Sequence, residues 1–212
     1  MQEHYIGPGQ WASRKKSCML SKNRAEYLAL MYMYKKLMFV LTLVGVAAAS
    51  RLLPHPPNFT PIAAMALFGG AFFVSKRMAF LVPLLAMVMS DMALGLMLGK
   101  ELGFHSTLPV VYVTFAITVC LGFFLREHRG RLRVPSISLA ASLLFFVTTN
   151  LAVWAEGVYY AKNMTGLLTC FVAAIPFFYN TVLGDACYVA VMFGAMAWAE
   201  KRAFSLSISR GI

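Results

Sequence analysis

Apolar residues in this chain come in long, nearly unbroken blocks. The spacings of half-buried strands or of surface helices, two and three-to-four residues, are not the dominant pattern. From residue 37 onward the blocks follow one another, each bounded by charged or turn-forming residues. A helix needs roughly 20 mainly apolar residues to cross the hydrocarbon core of a bilayer. The blocks predict spans at Leu37–Leu53, Pro61–Ser75, Met78–Leu98, Leu108–Leu125 and Ser136–Ala155, and a last apolar block at Gly166–Ala199. The second is short, so it is expected to extend into the preceding loop or to sit between other helices. The last is too long for one span and contains Pro176, which lacks a backbone donor. It predicts a short outer helix or re-entrant piece, Gly166–Ile175, followed by a span at Phe177–Ala199; one kinked helix is the alternative. The fold class is an all-α integral membrane protein, a six-transmembrane-helix bundle.

Residues 1–34 break the pattern. They are polar and basic, without a long apolar run, and lack the apolar core and cleavage site of a removable secretory signal. Met31, Met33 and Met38 are alternative starts, so residues 1–34 read as an extension that is disordered or a start-site artefact. Residues 35–202 form the membrane domain and 203–212 a cytoplasmic tail.

Composition agrees. The 212 residues are 60% hydrophobic and 13% charged, with a mean hydropathy of +0.70; a soluble domain carries about a quarter charged residues. The net charge of +11 does not mark a nucleic-acid partner, because the basic residues sit at the edges of apolar blocks. With the N-terminus inside, only Arg51, Lys100 and Lys162 of the 19 Lys and Arg fall outside, leaving 16 inside. Without Arg14, Lys15, Lys16, Lys22 and Arg24 the ratio is still 11 to 3. That bias places both termini in the cytoplasm. The lipid bilayer is the first partner, and a bacterial inner membrane the expected location.

Other chemistry is thinly represented. Cys18, Cys120, Cys170 and Cys187 have no paired spacing and read as free thiols. Gly95–Glu101 is the nearest string to a phosphate loop, but its spacing is wrong and it ends in Glu where Ser or Thr would hold magnesium. No hydrolase motif or internal repeat is visible. Asn58 and Asn163 match the glycosylation pattern; no glycan is assigned. No cofactor, metal or enzymatic activity is expected.

Polar residues inside a membrane are costly, so their depth is informative. Asp91 lies in the outer half of the third span, Asn150 and Trp154 late in the fifth, Tyr179, Asn180 and Asp185 early in the last. The loop from Arg51 to Pro61, with His55 and Asn58, opens on the same side, as do Glu156, Tyr159 and Tyr160. The inner halves are almost wholly apolar. Such convergence predicts a pocket open to the exterior. Pairing of both acids with Arg51, and an aromatic belt, is the structural alternative. Small residues repeat at four-residue spacing at Gly45 and Ala49, at Gly95, Gly99 and Gly103, and at Ala186, Ala190 and Gly194. These faces allow close helix packing, or docking of a partner on the first span.

The stretches RLLPHPPNFTPIAAMALFGGAFF (51–73), SDMALG (90–95), TTNLAVWAEG (148–157) and AAIPFFYNTVLGDACYVAVMFG (173–194) resemble a small bacterial membrane family of unknown function, described as transport proteins, over about residues 37–200. The segment Ile175-Pro176 to Asn180, leading through Gly184 into the last helix, is also similar to the substrate-binding S components of energy-coupling factor transporters. That second resemblance implies a six-helix subunit that captures a vitamin-like micronutrient from outside. It implies a small-residue face on the first helix, here Gly45 and Ala49 with Gly at one usual Ala position, docked on a transmembrane coupling subunit. Separate ATPase subunits would supply the energy. On this reading Asp91, Asn150, Asn180 and Asp185 offer hydrogen bonds or charge, Trp154, Tyr159 and Tyr179 stack on a ring, and the loop of Arg51, His55 and Asn58 gates the site. The rivals are a self-sufficient proton-coupled carrier or channel using Asp91 and Asp185, a membrane enzyme with a metal held between those acids, and a membrane scaffold.

Overall fold

The computed structural model describes residues 8–99, 106–130 and 132–204, with side chains from residue 24 to residue 202. Six α-helices account for most of them: α1 Pro8–Ser50, α2 Ile62–Phe72, α3 Lys76–Leu98, α4 Leu108–Phe123, α5 Arg133–Glu156 and α6 Met164–Ala199. A π-helical turn, Glu200–Phe204, follows. No strand occurs among the described residues. Four helical segments are long and apolar enough to cross a membrane: Arg24–Ser50 in α1, α3, α5, and Met164–Arg202, which is α6 with the turn after it. This is the signature of a membrane protein. The 11 residues of α2 and 16 of α4 make rods of only about 16 and 24 Å at 1.5 Å per residue.

The chain divides into two compact units. One is Phe39–Ala197, and it contains α2 to α5. The other joins the residues up to Met38 with those from Trp198 onward. Within that second unit Lys36 Nζ donates to Glu200 Oε1 at 2.9 Å.

The short helix α2 is the core of the larger unit. Every residue from Ala63 to Phe72 is buried, which a helix with an apolar surface all round requires. It packs on α3, α4 and α5, and Phe68 and Phe72 meet Phe193 of α6 at 5.5 and 5.4 Å. Neighbouring backbones come close at glycines. A Cβ on Gly70 would lie 2.8 Å from the Cα of Gly122 in α4, and one on Gly122 would lie 2.9 Å from the Cα of Gly70. On the other side, a Cβ on Gly69 would meet Pro83 of α3 at 2.5 Å. The C-terminal carbonyls of α2 have no helical donors. Arg126 takes their place, donating to Gly70 O and Phe73 O at 2.9 Å each, with its guanidinium over the Phe123 ring.

The outer faces are apolar, unlike those of a soluble bundle, and several polar residues are buried. Leu139, Leu143, Val147 and Leu151 form an exposed stripe on α5, and Leu168, Val172, Ile175, Tyr179 and Leu183 one on α6. Ser90, Asp91, Thr114, Thr118, Ser138, Ser142, Thr181 and Asp185 are buried. Thr114 of α4 and Thr148 of α5 share a hydrogen bond of 2.8 Å.

Two expectations change. The block expected to split at Pro176 is one helix, Met164–Ala199, with the proline inside it. Pro176 cannot give the helical bond to Val172, but Phe171 and Phe178, on either side of it, both pack on Phe146 of α5 at 5.5 and 4.7 Å. One ring thus holds both halves in line. The small-residue repeat at Gly95 and Gly99 does not form a continuous helical face, because α3 ends at Leu98 and Gly99 takes φ 109°, a conformation open chiefly to glycine. Gly103, Lys100 and the tail from residue 205 lie outside the described residues.

Candidate functional site

A cavity of about 180 Å³ lies within the larger unit. Arg51 reaches it from just beyond the end of α1, Asn58 and Thr60 from the following loop, and Ile62 and Ala63 from the first turn of α2. Met87 and Asp91 of α3, Leu108 and Val111 of α4, Phe145 of α5, and Thr181 and Asp185 of α6 complete the wall. Six of these twelve residues are apolar and six are polar or charged, which combines an apolar lining with polar groups that can orient a ligand. A cavity of about 150 Å³ holds benzene in another protein, so this one suits about one small ring.

Arg51 and the two acids are all buried, with relative exposures of 8% for Arg51 and 3% for each acid. An isolated buried charge is expensive, so each needs a partner or hydrogen bonds. Asp91 has both. Its Oδ1 pairs with Arg51 Nη2 at 2.6 Å, and Tyr112 Oη donates to its Oδ2 at 2.7 Å. Arg51 Nη1 donates to Ser90 Oγ and faces Met87 O at 3.5 Å. Its Nε is buried without a hydrogen-bond partner. Asp185 differs. Ser142 Oγ of α5 donates to its Oδ2 at 2.6 Å, but no cation pairs with it among the described residues. The two acids that share a depth in the sequence therefore have separate electrostatic settings: Asp91 is neutralised and Asp185 is not.

The loop before α2 is anchored to α6. Asn180 Nδ2 donates to Pro57 O at 2.9 Å, and the Phe59 ring lies 6.0 Å from that of Tyr188. A Cβ on Gly184 would come within 3.1 Å of Phe59 Cα and Thr60 N, so glycine there lets the loop close onto the helix beside Asp185. Asn58 takes φ 63°, a left-handed conformation that asparagine tolerates. His55 Nδ1 lies 3.0 Å from Pro56 O.

The structure sorts the residues singled out in the sequence. Arg51, Asn58, Asp91 and Asp185 share the cavity wall. Asn150, Trp154, Tyr159, Tyr179, Asn180 and His55 are not part of it. Asn150 Nδ2 donates to Phe146 O of its own helix at 2.8 Å. Trp154 Nε1 donates to Ala161 O at 3.1 Å. Tyr159 and Tyr179 are 77% and 65% exposed. Gly45 and Ala49 are exposed on α1, with nothing within 4 Å of a Cβ on Gly45; Ala186, Ala190 and Gly194 are likewise exposed on α6. Tyr112, Ser142 and Thr181 enter the site unannounced. Ser138 and Ser142, one turn apart on α5, were the available sign of a polar inner face. Among the described residues no three His, Cys, Asp or Glu side chains converge as metal ligands would.

No curated protein and no solved structure matches the chain. A family model matches residues 32–207, leaving out most of the basic N-terminal extension. The chain belongs to the family of unknown function DUF6580.

Proposed function

We propose that this protein is a substrate-capture subunit for uptake of a small micronutrient, binding it from outside the cell in the cavity between Arg51, Asp91 and Asp185. The observation that carries this reading is a buried, ring-sized cavity that holds an unpaired carboxylate and is partly closed by an anchored loop. The distribution of charge supports the orientation. Arg126 binds the C-terminal end of α2, Arg129 lies over the Phe72 ring, and exposed Lys76 and Arg77 start α3. The cavity meets α2 at its other end. The positive-inside rule then puts the basic end in the cytoplasm and the cavity toward the exterior. On this reading the chain crosses a bacterial inner membrane six times, with α2 and its loop acting as one traverse. The exposed Gly45 and Ala49 face is where a transmembrane coupling subunit, linked to ATPase subunits, would dock.

Asp185 also favours a second reading, a proton-coupled carrier that works alone. One experiment separates the two. Right-side-out vesicles holding the full chain are expected to bind one member of a micronutrient panel from outside, one molecule per chain, without accumulating it under a pH gradient. Accumulation driven by the gradient alone would establish the carrier. Binding confined to inside-out vesicles would overturn the outward pocket.

A further inference from the structure

Three ionisable side chains line the cavity, and only two of them pair. The Arg51 guanidinium and the Asp91 carboxylate cancel at 2.6 Å, leaving Asp185 without a countercharge among the described residues. Ser142 gives Asp185 one hydrogen bond and no charge. The remaining polar lining groups, Asn58, Thr60 and Thr181, are neutral. Arg51 keeps one free donor, the buried Nε. The guanidinium stays cationic, but Asp91 balances its charge, so the pair offers a ligand no net charge. An ionised site of this kind carries one net negative charge where the dielectric is low and Coulomb attraction strong. A bound monocation compensates the ionised carboxylate, an anion adds repulsion, and a neutral ligand leaves Asp185 to be neutralised by a proton instead.

We propose that the cavity takes a small monocationic ligand, a protonated amine of about one ring in size, whose nitrogen pairs with Asp185. This rests on the capture reading above and names its substrate class. The apolar body of the ligand lies against Ile62, Leu108, Val111 and Phe145, and the ammonium donates to Asp185 and to neighbouring hydroxyls. The volume of about 180 Å³ admits a ring with a short side chain. Asp91 is a positioning residue here, since it pairs with Arg51 and balances its charge.

The test is calorimetric titration of the detergent-solubilised full chain with benzylammonium, with benzyl alcohol and benzoate as neutral and anionic probes of the same ring. Benzylammonium is expected to bind one per chain, at least tenfold more tightly than either control, and Asp185→Asn to abolish that preference. A second measurement avoids the variant altogether. In the wild-type chain, benzylammonium is expected to protect Asp185 from a hydrophobic carbodiimide, read by peptide mass spectrometry. Equal binding of all three probes, or an ammonium preference that survives Asp185→Asn, overturns the charge assignment. So does a chain that binds none of them and leaves Asp185 unprotected. In any of these cases, a neutral or anionic molecule co-purifying in the cavity would keep the capture reading standing without the cation.

Discussion

Arg51 is the residue on which the site turns. It sits where α1 has ended, so its side chain is free to reach across to α3 and bond Asp91, Ser90 and the Met87 carbonyl together. Breaking a buried pair by removing one partner leaves the other charge uncompensated and costs about 3–5 kcal/mol. Asp91→Ala is therefore expected to destabilise the detergent-solubilised protein by about that much, with Tyr112 also losing its acceptor. The double variant Arg51→Met, Asp91→Leu should recover most of the loss, because no charge is then stranded. Thermal unfolding checks both; equal loss in the single and double variants would contradict the account. Depth within the apolar blocks was enough to single out Asp91 and Asp185. It could not say which of them Arg51 takes, because that depends on where the chain leaves α1. Nor could it give azimuth. Tyr179 and Thr181 share a depth on α6, but two residues turn a helix by about 200°, so Tyr179 faces outward while Thr181 lines the cavity.

At the scale of elements, α2 explains why the core is glycine-rich where it is. An 11-residue helix buried on every side must let its neighbours approach closely, and Gly69, Gly70 and Gly122 allow it. Adding a methyl group where backbone already lies at 2.9 Å forces the helices apart, and overpacking costs about 1–3 kcal/mol. Gly122→Ala is expected to lower the unfolding temperature accordingly and Gly122→Val to prevent folding. Gly45→Ala, in open space inside α1, should not lower stability and should raise it by up to about 1 kcal/mol. Fluorescence-detected size exclusion on heating distinguishes the three, and indifference to Gly122→Val would rule out the close contact. The block that became α2 was recognisable in the sequence as too short for an ordinary span, with a place between other helices among the expectations. The unbroken course of α6 through Pro176 was not legible, because the ring that steadies it, Phe146, belongs to another helix.

At the scale of the whole molecule, the apolar blocks and the lysines and arginines at their edges carried the all-helical class directly. Four helical segments have the length and composition to cross a bilayer, and the family extends over residues 32–207. Within the larger unit, the buried ionisable residues Arg51, Asp91 and Asp185 meet at one cavity beside the first turn of α2, and Arg126 binds the other end of that helix. That asymmetry is what the capture reading depends on. The most direct measurement is native mass spectrometry of the full-length wild-type chain beside Asp185→Asn, each purified gently from cells grown in complete medium. The account predicts one small molecule released per wild-type chain and none from a folded Asp185→Asn. A wild-type chain that purifies empty and takes up no member of a micronutrient panel would contradict it.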